Sequence, residues 1–146
     1  MPIYQKTTKT EIDAYFKAET ERIERVVLNV LNRVGMRCVT EARDNGSYLD
    51  DTGNLRSSIG YAILRNGLIE NISSFEQVKQ GVKGKRQGSE FINELARQYS
   101  SGIVLIVVAG MEYAAYVETR RNVLTSAELL ANQLVPSLLR QLGFKR

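Results

Sequence analysis

Apolar residues recur at helical spacing through the first third of the chain. Ile12, Phe16, Ile23, Val27, Val30, Leu31, Val34 and Cys38 share one side of a helical period, while Glu21, Arg22, Glu24, Arg25, Arg33, Arg37 and Glu41 fall largely elsewhere. The pattern predicts one long amphipathic helix. Thr8-Lys9-Thr10-Glu11 reads as a capping box at its start, in which the threonine hydroxyl and the glutamate three residues on satisfy free amides. Asp44-Asn45-Gly46-Ser47 stops it, because Asn and Gly accept the left-handed conformation that ends helices. Unbroken, such a helix would reach roughly 50 Å, more than a compact domain of this size needs. A break near Ala18 to Glu21, or a protruding N-terminal arm, is therefore expected.

The pattern then changes period. Asp51-Thr52-Gly53-Asn54 is rich in short polar side chains that bond nearby amides, so a turn or cap precedes a helical turn at Asn54 to Ser57. Residues 58–65 read as a strand, Asn66-Gly67 as a two-residue hairpin turn, and residues 68–75 as the returning strand. Residues 76–88 carry Lys79, Lys83, Lys85 and Arg86 among Gly81, Gly84 and Gly88, and read as a mobile basic loop. Ser89 can cap a second helix through Tyr99, with Phe91, Ile92, Leu95 and Tyr99 on one side. Ile103-Val104-Leu105-Ile106-Val107-Val108-Ala109 is continuously apolar and β-branched, which predicts a strand buried on both faces at the centre of the sheet. After a turn at Gly110-Met111-Glu112, the segment Tyr113 to Glu118 and a polar connection lead to Thr125-Ser126-Ala127-Glu128, a second capping box. It opens a C-terminal helix with Leu130, Leu134, Leu138 and Leu142 near one face and a kink expected at Pro136.

These elements make an α+β fold: a long N-terminal helix, a mainly antiparallel sheet of three or four strands, and a C-terminal helix packed on one face. No internal repeat or linker divides residues 1–146, and that length suits one domain able to bury its own core. Hydrophobic residues at 43% and charged residues at 25% are ordinary for a globular chain. A net charge of +4 favours acidic partners only weakly.

The missing residue types are more informative. Cys38 is the only cysteine and there is no histidine, which removes intrachain disulfides, serine-triad and Cys-His chemistry, and the commonest metal ligand together. Met1-Pro2-Ile3-Tyr4-Gln5-Lys6 lacks a signal-peptide core and no apolar run approaches the ~20 residues of a membrane span, so a cytosolic, reducing location and no membrane partner are expected. Cys38 reads as a buried inert thiol. Glu112 and Glu118 could form an acid-base pair, but without a nucleophile or ligand set they read as surface or interface carboxylates. Asp50 and Asp51 lack a third ligand at calcium-loop spacing and read as turn formers. The glycine- and lysine-rich residues 81–88 fail the phosphate-loop pattern, because no Gly-Lys-Ser/Thr triplet occurs.

Two segments carry a family likeness. The first is Asp51-Thr52-Gly53-Asn54-Leu55-Arg56-Ser57-Ser58-Ile59, and the second is Tyr113-Ala114-Ala115-Tyr116-Val117-Glu118 after a strand. In this order and separation the chain resembles the tailed-bacteriophage neck and tail-completion proteins, minor virion components at the head–tail junction. The resemblance spans roughly residues 26–142 and leaves 76–100, the basic loop plus a short helix, as an insertion. Family members commonly follow the glutamate with an aromatic and Gly-Thr, where this chain has Thr119-Arg120-Arg121.

The resemblance implies a non-enzymatic part without cofactor or metal, forming a ring of six subunits around the passage for double-stranded DNA. Its partners would be head-closure or connector proteins and tail proteins, with assembly in the host cytoplasm. Asp51, Thr52, Gly53, Leu55, Ser58 and Ile59 would then be structural, with Thr52 or Asp51 capping the turn. So would Tyr113, Ala114, Tyr116, Val117 and Glu118, with Glu118 at an edge where subunits meet. The alternative reading is a small basic nucleic-acid-binding module using Lys79, Lys83, Lys85, Arg86, Arg120 and Arg121.

Overall fold

A computed structural model describes residues 8–144 of the chain; the start of the sequence, Met1 to Lys6, lies outside them. Helix α1 (Lys9–Asp44) is continuous over 36 residues, about 54 Å at a rise of about 1.5 Å per residue. No break interrupts it. Its start is the expected box: Thr8 Oγ1 accepts from the Glu11 amide at 3.2 Å, and the Glu11 carboxylate accepts from the Thr8 amide at 3.4 Å. The N-terminal half protrudes, with Tyr15 63% and Phe16 62% exposed, and the first fully buried position is Val30. The helix ends on Asn45 at φ −108°, so its stop needs no left-handed residue. Instead the Asn45 side chain donates to the Glu41 carboxylate at 2.7 Å.

After the helical turn α2 (Asn54–Ser57), strands β1 (Ile59–Arg65) and β2 (Leu68–Ile72) form a hairpin through Asn66 and Gly67. Both turn residues take positive φ, 52° and 84°, as this tight turn requires. Strand β3 (Ile103–Ala109) pairs antiparallel with β1, and the sheet order is β2-β1-β3. The central strand is therefore β1, and the apolar run of β3 lies at an edge. The continuous apolar pattern reports cover on both faces, not a central place. Ile106 and Val108 pack with Ala62, Leu64, Phe75 and Ile92 on one side. Leu105, Val107 and Ala109 face Val30, Val34 and Ile59 on the other.

Helix α3 (Val82–Ala96) covers the first face. It starts at Val82, seven residues before the expected Ser89 cap, so most of the expected basic loop is helical. Two glycines that read as loop signals are contact points instead. A Cβ on Gly84 would lie 1.9 Å from the Asn54 carbonyl oxygen, and one on Gly88 would lie 2.6 Å from that of Ser58. The backbone of α3 therefore lies directly against α2 and the start of β1.

The short helix α4 (Ala114–Glu118) precedes α5 (Thr125–Gln141), which packs with α1 over the second face of the sheet through Ala127, Leu134 and Leu138. Pro136 lies within α5, and Leu142 is 45% exposed beyond its end. The expected box at Thr125 does not form, since Thr125 is already helical and Leu124 is the cap position. Asn122 accepts from the Ser126 amide at 3.0 Å instead. Among the described residues, no helix is long and apolar enough to cross a membrane.

Candidate functional site

The two segments singled out in the sequence meet in one joint. Asp50, with a side chain only 3% exposed, accepts from the Leu55 amide at 3.2 Å and the Arg56 amide at 2.9 Å, and pairs with the Arg56 guanidinium at 3.8 Å. Arg56 in turn donates to the Arg43 carbonyl at 3.0 Å and the Gly46 carbonyl at 3.2 Å, while lying 4.5 Å over the Tyr48 ring. One side chain thus closes the end of α1 against α2. A carboxylate facing the free amides of a helical turn also stabilises it through the local dipole.

The cap is therefore Asp50, whereas Asp51 is exposed and the Thr52 hydroxyl accepts from the Asn54 amide alone, at 3.3 Å. Gly53 sits at φ 79°, and a Cβ there would meet the Val78 carbonyl oxygen at 1.9 Å, so only glycine fits. Leu55 and Ile59 are 1% and 0% exposed and anchor the joint in the core. Ser57 accepts from the Val78 amide at 2.7 Å, and Ser58 donates to Leu55 at 2.7 Å while its carbonyl accepts from Gly110 at 3.1 Å.

The second segment closes the other side. Ala114 packs with Tyr48, Leu55, Met111 and Val123, and Val117 lies against that cluster. Ser47 and Asn122 exchange two bonds, the Asn122 amide to Ser47 Oγ at 3.0 Å and the Ser47 amide to the Asn122 carbonyl at 3.3 Å. Ala114 to Glu118 is the helical turn α4 with Tyr113 at its cap position, and Tyr113 is 42% and Tyr116 62% exposed. Glu118 turns inward. It accepts from the amides of Val123 and Leu124 and from the Thr125 hydroxyl, the latter two at 3.0 and 2.6 Å. Burial alone would raise its pKa, but the Thr125 hydroxyl and the amides of residues 123 to 125 outweigh it and lower the value. It holds the entry to α5, beside the Asn122 cap on the Ser126 amide.

Asp50, read from the sequence with Asp51 as a turn former and cap, does cap the turn, while sequence reasoning missed Arg56, Tyr48, Ser47 and Asn122 as joint residues. Their signal is the density of short polar side chains on either side of Gly53, but which amide each one meets depends on tertiary contacts. Burial pushes the Tyr48 hydroxyl up to about 12, against a smaller opposite pull from Arg56, and that hydroxyl has no hydrogen-bond partner. Burial likewise raises Tyr113 and Cys38; the Cys38 thiol is buried and donates to the Ala127 carbonyl at 3.4 Å.

The basic residues do not form one patch of free cations. Lys79 is committed to the joint through the Asp50 carbonyl at 2.9 Å. Arg120 lies 5.1 Å over the Tyr116 ring. Lys83, Lys85 and Arg86 are exposed on the first turns of α3, and Arg121 is exposed beyond α4.

Beside the joint, a groove of about 640 Å³ runs between α3, the outer edge of β3 and α4. Phe91, Leu95, Val107, Val108 and Met111 line it, with Glu90, Glu94 and Glu112 along its sides. Among the described residues no group of three or more His, Cys, Asp or Glu could hold a metal ion. The geometry defines an α+β domain with a buried polar joint and an apolar, acid-flanked groove. Comparisons with protein-family models, curated proteins and solved structures find no match for the chain.

Proposed function

We propose that this protein is a non-enzymatic structural component of a tailed-phage virion, a neck or tail-completion part at the head–tail junction. In this reading it assembles in the host cytoplasm as a ring, of six subunits, around the DNA passage. Head-closure or connector proteins and tail proteins are its neighbours.

One observation carries the reading. The two family-like segments, distant in sequence, fold into a single joint in which Asp50, Arg56 and Glu118 each face a backbone amide, a carbonyl or another charge. That use of Asp50, Arg56 and Glu118 leaves them as structural ties between elements and supports a building part over a catalyst. The test is protein composition and imaging of virions, with and without the intact gene. Presence in particles and unjoined heads and tails on deletion are expected; a protein absent from particles and dispensable for joining refutes the reading.

The second reading, a small nucleic-acid-binding module, is favoured by Lys83, Lys85 and Arg86 standing exposed on the first turns of α3. It requires duplex binding that falls steeply with salt and is lost when these cations are neutralised. No binding at low salt excludes it.

A further inference from the structure

We propose that the outer edge of β3 and the groove beside it receive the β2 edge of a second copy of this chain, head to tail. The inference names the self-contact of the assembly proposed above, and so rests on that reading.

Both outer strands of the described sheet pair only with β1, which leaves each with a row of unpaired N–H and C=O groups. Such edges are templates for another strand. The two edges differ in shape. All five residues of β2 are exposed, Leu68 to 72%, so β2 projects without cover. The β3 edge is recessed in a groove floored by Phe91, Leu95, Val107 and Val108. Gln87 of α3 also lines the groove. A projecting edge and a recessed one are complementary in form.

Charge selects the occupant. Glu90, Glu94 and Glu112 flank the groove, and none forms an ion pair among the described residues. On the β2 side, Asn32 of α1 accepts from Asn71 of β2 at 2.5 Å. Arg25, Asn29 and Met36 share that helix face at helical spacing and Arg33 adjoins it; both arginines are exposed and without an ion pair among the described residues. The acids nearest to them, Glu70 and Glu24, share the one guanidinium of Arg65 at 2.6 and 3.4 Å, so that with Arg25 and Arg33 three arginines stand there against two glutamates. Groove on groove would bring like charges together. Groove on β2 brings opposite ones together and leaves one edge of each kind free, so the contact repeats and ends only when rotation closes a ring.

The experiment is a charge-swap complementation read by sedimentation equilibrium up to millimolar concentration. The groove variant carries Glu90→Lys and Glu94→Lys, and the flank variant carries Arg25→Glu and Arg33→Glu. All four positions are exposed, and circular dichroism confirms that each variant folds. The wild type is expected to associate, and each variant alone to weaken by about tenfold or more. An equimolar mixture of the two should regain association, because each variant's altered face meets the other's.

Association untouched by both variants, or a mixture that does not recover, overturns this interface while leaving ring assembly standing. A wild type still monomeric at millimolar concentration overturns the self-contact itself. Recovery by the mixture, together with absence from virions, keeps the interface and refutes the head–tail reading.

Discussion

Replacing Glu118 tests whether the acid of the second segment ties the fold together. Its carboxylate accepts from two backbone amides and from the Thr125 hydroxyl at the start of α5. A hydrogen bond to a charged group contributes about 1.5–3 kcal/mol, and loss of a helix cap costs about 1 kcal/mol. The bonds share one partly buried group and water can replace part of them, so Glu118→Ala should cost about 2–3 kcal/mol. For a chain of this size that corresponds to a melting temperature lower by roughly 4–12 °C. Glu118→Gln keeps one acceptor oxygen and should lose about half as much. The pH dependence gives an independent check. The folded pKa lies below the ordinary 4.5, so the carboxylate contributes stability that is full above the unfolded value and fades as pH falls through the lowered folded one. The gap between wild type and Glu118→Gln in urea unfolding should be widest at neutral pH and shrink below pH 4.5. A Glu118→Ala protein within about 0.5 kcal/mol of wild type, or a gap constant down to acid pH, refutes the capping role.

Three further substitutions probe the joint and its packing. Asp50→Ala leaves the Arg56 guanidinium partly buried without its carboxylate and frees two amides, so a loss of about 3–5 kcal/mol is expected in the same urea assay. Tyr48→Phe removes a buried hydroxyl that has no partner and should be neutral or stabilising by about 1 kcal/mol. Because the folded Tyr48 pKa is about 12 against an ordinary 10, wild type should lose stability relative to this variant as pH rises from 10 towards 12. Gly84→Ala would gain about 1 kcal/mol in an open helix. Here the new Cβ meets the Asn54 carbonyl oxygen at 1.9 Å, so thermal melting should show net destabilisation of about 1–2 kcal/mol from overpacking.

Local rules carried much of the fold. The Thr8 box, the Asn66-Gly67 turn and the amphipathic half of α1 are set by residues within a few positions of one another, so their outcome was legible from spacing alone. The misreadings share a physical cause, which is that the deciding partner lay far along the chain. Gly84 and Gly88 punctuate a loop in isolation, yet they lie within α3, where α2 and Phe75 occupy the space a side chain would fill. The apolar run of β3 records helices on both faces and says nothing of how many strands lie beside it. Thr125 had the right spacing to cap α5, but Asn122 takes the Ser126 amide and Glu118 reaches from α4 to the amides of Val123 and Leu124 and the Thr125 hydroxyl. In the joint, the importance of Gly53 and the burial of Leu55 and Ile59 followed from the sequence, while the choice of Asp50 over Asp51 or Thr52 required the approach of α1.

The joint and the proposed contact are mechanically linked. Arg25 and Arg33 ride on α1, whereas the groove is bounded by α3, β3 and α4. Arg56 binds the last turn of α1 through the Arg43 carbonyl and is itself held by Asp50, while Met111 and Ala114 belong both to the joint's apolar cluster and to the groove lining. The angle between the two faces of one copy therefore depends on these few residues together with the packing of Val30, Val34 and Cys38 of α1 against the sheet and α5. Ring closure is an angular condition, because a small error in each head-to-tail step is multiplied around the circle and yields an open helix. The buried ion pair, the two-sided capping of α2 and α5, and a glycine that admits no side chain together restrict that angle more tightly than apolar packing would, since hydrogen bonds are directional and hydrophobic contact is not.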